Sequence, residues 1–210
     1  ILNLKMKKYA NVYFACSKQS GLYWFGEKKC KTKNFKIILN GTDTNKYKKN
    51  EEIRKNLRKK YNIDNDYVLG FVGRISKDKN LYFLVDVYKK LLKKSNEIKL
   101  FIVGDGPELK KIKKKCLGFS DKVIFAGYQK NVADYYNLFD ILILPSKREG
   151  LPMTVVEAQL SDLTCYLSET ITNEVDIGRV IFLPLKSELW VENIIKNTNK
   201  CNEKVDINKF

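Results

Sequence analysis

The stretch "YVLGFVGRISKDKNLYFLVDVYKKLLKKSNEIKLFIVG", Tyr67 to Gly104, decides the fold. It opens and closes on short apolar runs that end in glycine, YVLGFVG and IKLFIVG. Between them Leu81, Leu84, Val85, Tyr88, Leu91 and Leu92 recur with helical period and share one face. The two end runs are apolar throughout rather than alternating, which is the pattern of strands covered by helices on both sides. A strand, an amphipathic helix and a second such strand make a βαβ unit with a right-handed crossover.

The same alternation continues toward the C-terminus. PELKKIKKKC reads as a helix with Pro107 near its first turn, KVIFAG as a strand, NVADYYNLF as a short helix and DILILP as a strand. LPMTVVEAQL reads as a helix starting about Leu151 with Pro152 in its first turn. LTCYLS and VIFLPL are further strands, and KSELWVENIIKN is a late helix. The fold class is therefore α/β, a Rossmann-like doubly wound parallel sheet. Toward the N-terminus the pattern thins. ANVYFACS and FKIILNG read as strands flanking KQSGLYWFGEK, and the basic helix NEEIRKNLRKKY follows. Two strands do not make a core. Residues 1–45 are thus expected to be the remnant of another α/β domain with its linker near Asn40–Asn50, and residues 46–210 the main domain. The chain does not begin with Met, which fits a fragment.

Composition narrows the function classes. The chain has 210 residues, 44% hydrophobic and 30% charged, a globular balance. No run of 18 apolar residues is present, and the start lacks a signal-peptide core, so a cytoplasmic protein is expected. Five cysteines without C-x-x-C spacing argue against a disulfide framework or a zinc site. Histidine is absent, which removes Ser-His-Asp and Cys-His mechanisms and every His-ligated metal. The formal charge of +16 comes from 40 basic residues, of which only Arg54, Arg58, Arg74, Arg148 and Arg179 are arginine. No aromatic-basic signature or helix-turn-helix accompanies them, so nucleic acid is not the expected partner. Residues 1–66 hold +11 of the charge. That excess is either a solvated lysine coat or a patch for an anionic membrane.

In an open parallel sheet, ligands bind beyond the carboxyl ends of the strands, so the strand exits carry the site. The first gives Gly73, Arg74 and Lys79; Arg offers a planar fork and Lys a mobile point charge, which together suit a diphosphate or else are surface salt-bridge partners. The second gives Gly104, Asp105 and Gly106, and the third Gly127 and Tyr128. The GDGP turn is either backbone shaping or close approach to a ligand; it is neither G-x-G-x-x-G nor a P-loop. The fourth exit is SKREGLPMTVVEAQ, where Gly150 precedes a helix whose first amides favour an anion. Glu149 lies in the loop and Glu157 on the helix, spaced by roughly 9 Å at helical rise. Two carboxylates so placed can grip the hydroxyls of one extended ligand, a sugar on one side and a ribose on the other; the alternative is a solvated loop acid at Glu149 and, at Glu157, an acid that favours the helix dipole. Asp64-Asn65-Asp66 has D-x-D spacing but precedes its strand, so it reads as a turn.

Taken in order, GFVGRISKDKN, IVGDGPE, VIFAGY and EGLPMTVVEA resemble the donor-binding domain of glycosyltransferase family 4, retaining transferases of GT-B fold. The likeness runs from about Asn40 to Leu185 and is similar in tone to bacterial capsular and exopolysaccharide transferases. It implies a nucleotide-sugar donor in a cleft between two Rossmann-like domains. Arg74 and Lys79 would hold the diphosphate, Glu157 the ribose and Glu149 the transferred sugar. The backbone of Gly150, Leu151, Pro152, Met153 and Thr154 would contact sugar and phosphate, with Gly73, Gly104, Gly106 and Tyr128 completing the donor site. Asn40-Gly41-Thr42-Asp43 resembles the family's interdomain NG-x-D. The resemblance implies retention without a cofactor or a tightly bound metal. A uridine diphosphate donor is expected, with guanosine diphosphate mannose left open, and a glycan or lipid-linked acceptor at the inner face of the membrane. With most of an acceptor domain missing, the chain alone is expected to bind donor weakly and to transfer inefficiently. A non-catalytic nucleotide-binding or docking module, or one subunit of a split transferase, is the alternative.

Overall fold

The structure is a computed structural model that describes residues 9–202, with side chains described to residue 198. Six parallel strands form the main sheet: β3 (Tyr67–Val72), β4 (Ile98–Val103), β5 (Val123–Gly127), β6 (Ile141–Leu144), β7 (Thr164–Ser168) and β8 (Val180–Leu183). Their order is β5-β4-β3-β6-β7-β8. The chain steps outward from β3 to β5, returns to the other side of β3, and steps outward again to β8. With right-handed crossovers, those opposite directions place the connecting helices on opposite faces. The contacts agree: α4 (Leu81–Leu92) packs against α5 (Leu109–Lys115) and α8 (Ser187–Asn202), whereas α3 (Glu51–Lys60) packs against α6 (Val132–Leu138), which also meets α7 (Met153–Leu160).

Burial follows position in the sheet. Every residue of β6 is buried, as are five of the six in β3, whereas edge strands β5 and β8 each bury one. The apolar runs predicted as strands therefore mark the centre best. In α4 the predicted face is buried, with Leu92 half-buried at its end and Val87 joining the core. α5 begins at Leu109, two residues beyond Pro107. Asp64-Asn65-Asp66 lies in the turn that leads into β3.

Residues 13–37 form a small βαβ unit of their own. β1 (Tyr13–Ala15) pairs in parallel with β2 (Phe35–Ile37), connected through α1 (Lys18–Phe25) and the short α2 (Glu27–Cys30). The segment read as a connection between strands is thus helical. Its start signal is Ser17, whose Oγ accepts from the Ser20 amide at 3.0 Å. The predicted basic helix α3 is held to the sheet by two arginines, Arg54 and Arg58, that both reach Asp140 at the head of β6. Cys16, Cys30, Cys116 and Cys165 are free thiols; burial pushes the Cys116 thiol up to about 11. No helix among the described residues is long and apolar enough to cross a membrane.

Candidate functional site

Strand order reverses between β3 and β6. The residues that follow these two strands flank the crevice where a doubly wound sheet takes its ligand. Gly73, Arg74 and Lys79 follow β3; Ser146 to Gly150 follow β6.

A cavity of about 700 Å³ opens past β3, β4 and β5, and Gly73, Arg74, Gly104, Gly106 and Tyr128 are among its lining. Part of its floor is bare backbone. Gly104 has φ +134°, and a Cβ there would lie 2.0 Å from the Gly73 carbonyl oxygen. A Cβ on Gly106 would lie 2.4 Å from the Ile75 carbonyl oxygen. The hydrogen-bond ladder runs one step past the strands: the Gly73 amide donates to the Val103 carbonyl at 3.0 Å and the Gly104 amide to the Gly127 carbonyl at 2.7 Å. The GDGP glycines are therefore required by the approach of one backbone to another. Tyr128 stands at the rim, 74% exposed. Arg74 is exposed, and its guanidinium has no ionic partner among the described residues.

Lys79 ends a 3-10 turn, Lys77–Lys79, and Asn80 in the left-handed region redirects the chain into α4. Lys79 Nζ donates to Glu149 Oε1 at 2.6 Å, and both side chains are largely sheltered. The cation read for the diphosphate and the acid read for the sugar thus form one ion pair that spans the exits of β3 and β6. The Lys147 amide donates to the Asp78 carbonyl at 2.8 Å and ties the same two loops together.

α7 begins at Met153 rather than about Leu151. Leu151 precedes a proline, whose ring disfavours helical backbone at that residue. Pro152 itself is extended, with φ −72° and ψ 99°, and caps the helix from outside. Helical rise therefore applies only from Met153 to Glu157, about 6 Å, and the rest of the Glu149–Glu157 separation is set by loop. Thr154 Oγ1 in the first turn of α7 and Ser146 Oγ after β6 are buried hydroxyls without a hydrogen-bond partner among the described residues. Such groups call for an explanation, and an incoming ligand is one.

Glu157 is held by two phenols. Tyr47 donates to Oε1 at 3.0 Å and Tyr136 to Oε2 at 2.7 Å. Burial first, and then the carboxylate itself, raise both phenols above their ordinary range, so both stay protonated and donating. Each carboxylate oxygen keeps one further acceptor site. Tyr47 is anchored in turn, its carbonyl accepting from Ser161 Oγ at 2.6 Å. Sequence reasoning missed both tyrosines, because a periodic Tyr reads as core and its hydroxyl partner is unreadable.

The small βαβ unit seats on the loop after β6. Ser17 Oγ donates to the Gly150 carbonyl at 2.7 Å, the Lys18 amide donates to the Glu174 carboxylate, and Gln19 Nε2 donates to the Thr170 carbonyl at 3.0 Å. Among the described residues no three of His, Cys, Asp and Glu converge as metal ligands.

The cavity of about 700 Å³ thus holds an arginine without an ionic partner among the described residues, and acids after β6 and in α7 lie on the other side of the switch point. The model of the family described as glycosyl transferases group 1 matches residues 53–194. The chain belongs to that family. This group 1 glycosyltransferase chain is 29% identical over 194 residues to EpsF of Bacillus subtilis, an alignment covering 89% of the chain and 50% of EpsF. It is 26% identical over 125 residues to the capsular polysaccharide biosynthesis glycosyltransferase CapM of Staphylococcus aureus, covering 57% of the chain and 33% of CapM. The chain thus spans half the length of EpsF and a third of CapM. Among solved structures, Anabaena Alr3699/HepE in complex with UDP and glucose superposes with a TM-score of 0.80 at 24% identity, over 95% of this chain and 55% of that one. That likeness establishes the shared fold.

Proposed function

We propose that this group 1 domain is the donor-binding half of a retaining hexosyltransferase of the family 4 type. It would transfer a sugar from a uridine diphosphate-linked donor to a glycan or lipid-linked acceptor in the synthesis of cell-surface polysaccharide. The observation that carries the reading is the unpartnered Arg74 in the cavity beyond β3, beside the Lys79–Glu149 pair that spans the switch point. The name of CapM and the UDP and glucose bound to HepE support it.

In this reading Arg74 and Lys79 receive the diphosphate. The first amides of α7 add donors, with the loop Gly150–Pro152 and the orphan Thr154 hydroxyl beside them. Negative charge builds on the leaving diphosphate as the glycosidic bond breaks, and these fixed donors stabilise it. Glu149 accepts hydroxyls of the transferred sugar while keeping Lys79 in place. Glu157 uses its remaining acceptor sites for the ribose. The acceptor attacks from the face the phosphate leaves, so no covalent nucleophile is required, and the two cations carry the charge that a resident metal would otherwise neutralise. Residues 1–45 are read as the tail of the acceptor-side domain and its linker, completed by further chain or a complementary subunit. The +16 charge fits work at the anionic inner face of the plasma membrane. Vesicle flotation with and without anionic lipid tests that last point, and binding that ignores lipid charge removes it.

Calorimetric titration with uridine diphosphate tests the site. Saturable binding is expected, weakened about 10- to 100-fold in Arg74→Ala and in Glu157→Ala, the loss of one charge-assisted contact each. A folded chain that binds neither uridine nor guanosine diphosphate would instead be a docking module.

A further inference from the structure

Beside Glu149 lies a second cavity, of about 370 Å³, in which Gly73, Arg74 and Gly104 take no part. It falls within the range of small-ligand sites, about 300–1,000 Å³. α1 supplies one wall and the loops after β6 and β7 the other. The α1 wall carries Gln19 and Ser20 together with Tyr23 and Trp24, which are 54% and 48% exposed and meet edge to face with ring centroids 5.2 Å apart. The facing wall is polar. The Arg148 guanidinium lies 4.7 Å over the Tyr23 ring and Nη1 donates to its hydroxyl at 2.9 Å, which fixes the guanidinium at the cavity edge. Gln19 donates Nε2 to the Thr170 carbonyl, which orients the amide and leaves Oε1 as an acceptor. Glu149 closes the far side, with Lys79 behind it outside the cavity lining.

The half-exposed Trp24 indole, with donors and acceptors around it, matches a pyranose, which offers C–H groups on its faces and hydroxyls at its edge. We infer that this cavity is a saccharide subsite that receives a hexopyranose ring of the acceptor. The ring stacks on Trp24, and Gln19 and Arg148 hold its hydroxyls. The assignment to the acceptor rests on the donor reading above: the diphosphate belongs with Arg74 and Lys79, so the ring on the α1 side of Glu149 is the one that attacks. Tyr23 and Trp24 then select the acceptor by shape, and Arg148 extends the selection to sugars that carry a carboxylate.

The two tryptophans make the test direct. Trp190 is fully buried, so quencher-accessible fluorescence reports Trp24. Methyl glucosides, galactosides, mannosides, N-acetylglucosaminides and glucuronides are titrated at millimolar concentration into the full chain holding uridine diphosphate, and acrylamide quenching is read. At least one hexoside is expected to protect Trp24 saturably, with affinity lowered about tenfold in Gln19→Ala and in Arg148→Ala. Absence of protection across the panel overturns the subsite. Loss of protection when a nucleotide-sugar replaces the nucleotide gives the cavity to the donor's own sugar and overturns the acceptor assignment. Protection in a chain that calorimetry shows to bind no nucleotide sustains the saccharide subsite and removes the donor reading instead.

Discussion

Asp140→Ala is expected to lower stability by about 3–5 kcal/mol, the loss that follows when one partner of a sheltered charge network is removed. Arg54 Nη2 lies 2.5 Å from Asp140 Oδ1 and Arg58 Nη1 3.2 Å from Oδ2. The Val68 amide donates to the same Oδ2 at 2.7 Å. Arg58 is buried, and among the described residues no ion pair other than that with Asp140 faces its charge. Carbonyls of Asn137, Leu138 and Phe139 at the end of α6 accept from Arg54, and those of Leu138 and Asp66 from Arg58. These contacts persist in the variant and place the loss toward the lower end. Asp140→Asn keeps an acceptor for Val68 and is expected to lose about half as much. Urea unfolding with an unchanged m-value measures both. The exposed pair Glu27–Lys31 is the control, and Glu27→Ala should change the unfolding free energy by less than about 0.5 kcal/mol. Equal shifts for Glu27→Ala and Asp140→Ala would show that the network does not hold α3 to the sheet.

Gly104→Ala is expected to remove about 2–6 kcal/mol of stability and, on the proposed donor reading, uridine diphosphate binding with it. The new methyl would sit 2.0 Å from the Gly73 carbonyl oxygen at a φ of +134°. Backbone strain and overpacking each contribute about 1–3 kcal/mol. Relief requires β3 and β4 to part at their carboxyl ends, which moves Gly73 and Arg74 with them. Thermal unfolding and calorimetry on the same sample read the two losses. Gly118→Ala, where a Cβ meets nothing within 4 Å, should behave as the parent. A Gly104→Ala chain that melts with the parent and still binds would mean that the two strand exits are free to separate.

The sheet was legible because a strand covered on both faces has no polar side to confuse with a loop. All six central runs were found within a residue or two, and the helix between β3 and β4 by its period. The start of α7 was misread by two residues. Pro at the first helical position and Pro just outside the helix leave the same sequence trace, and the extended backbone of Pro152 decided between them. α1 was missed although Ser17 marked its start, because KQSGLYWFGEK carries glycines and aromatics that favour no period. The strand exits pointed to Arg74, Lys79 and Glu149 from chain position alone. That Lys79 and Glu149 pair with each other, and that Tyr47 and Tyr136 grip Glu157, depend on contacts between residues 21 to 110 positions apart, which no local pattern records.

Tyr47 closes the short turn Thr44–Tyr47 that connects the two-stranded sheet to the six-stranded one. Its hydroxyl donates to the Glu157 carboxylate on α7, 110 positions along the chain. A ligand hydroxyl that displaced Tyr47 from Glu157 Oε1, instead of using the acceptor site that oxygen has left, would compete with that anchor. Thermodynamic reciprocity then couples the two events: whatever loosens the connecting turn raises the affinity for such a ligand, and the ligand loosens the turn by the same free energy. The pose of one sheet against the other and the occupancy of the crevice would therefore be one equilibrium, read from either end.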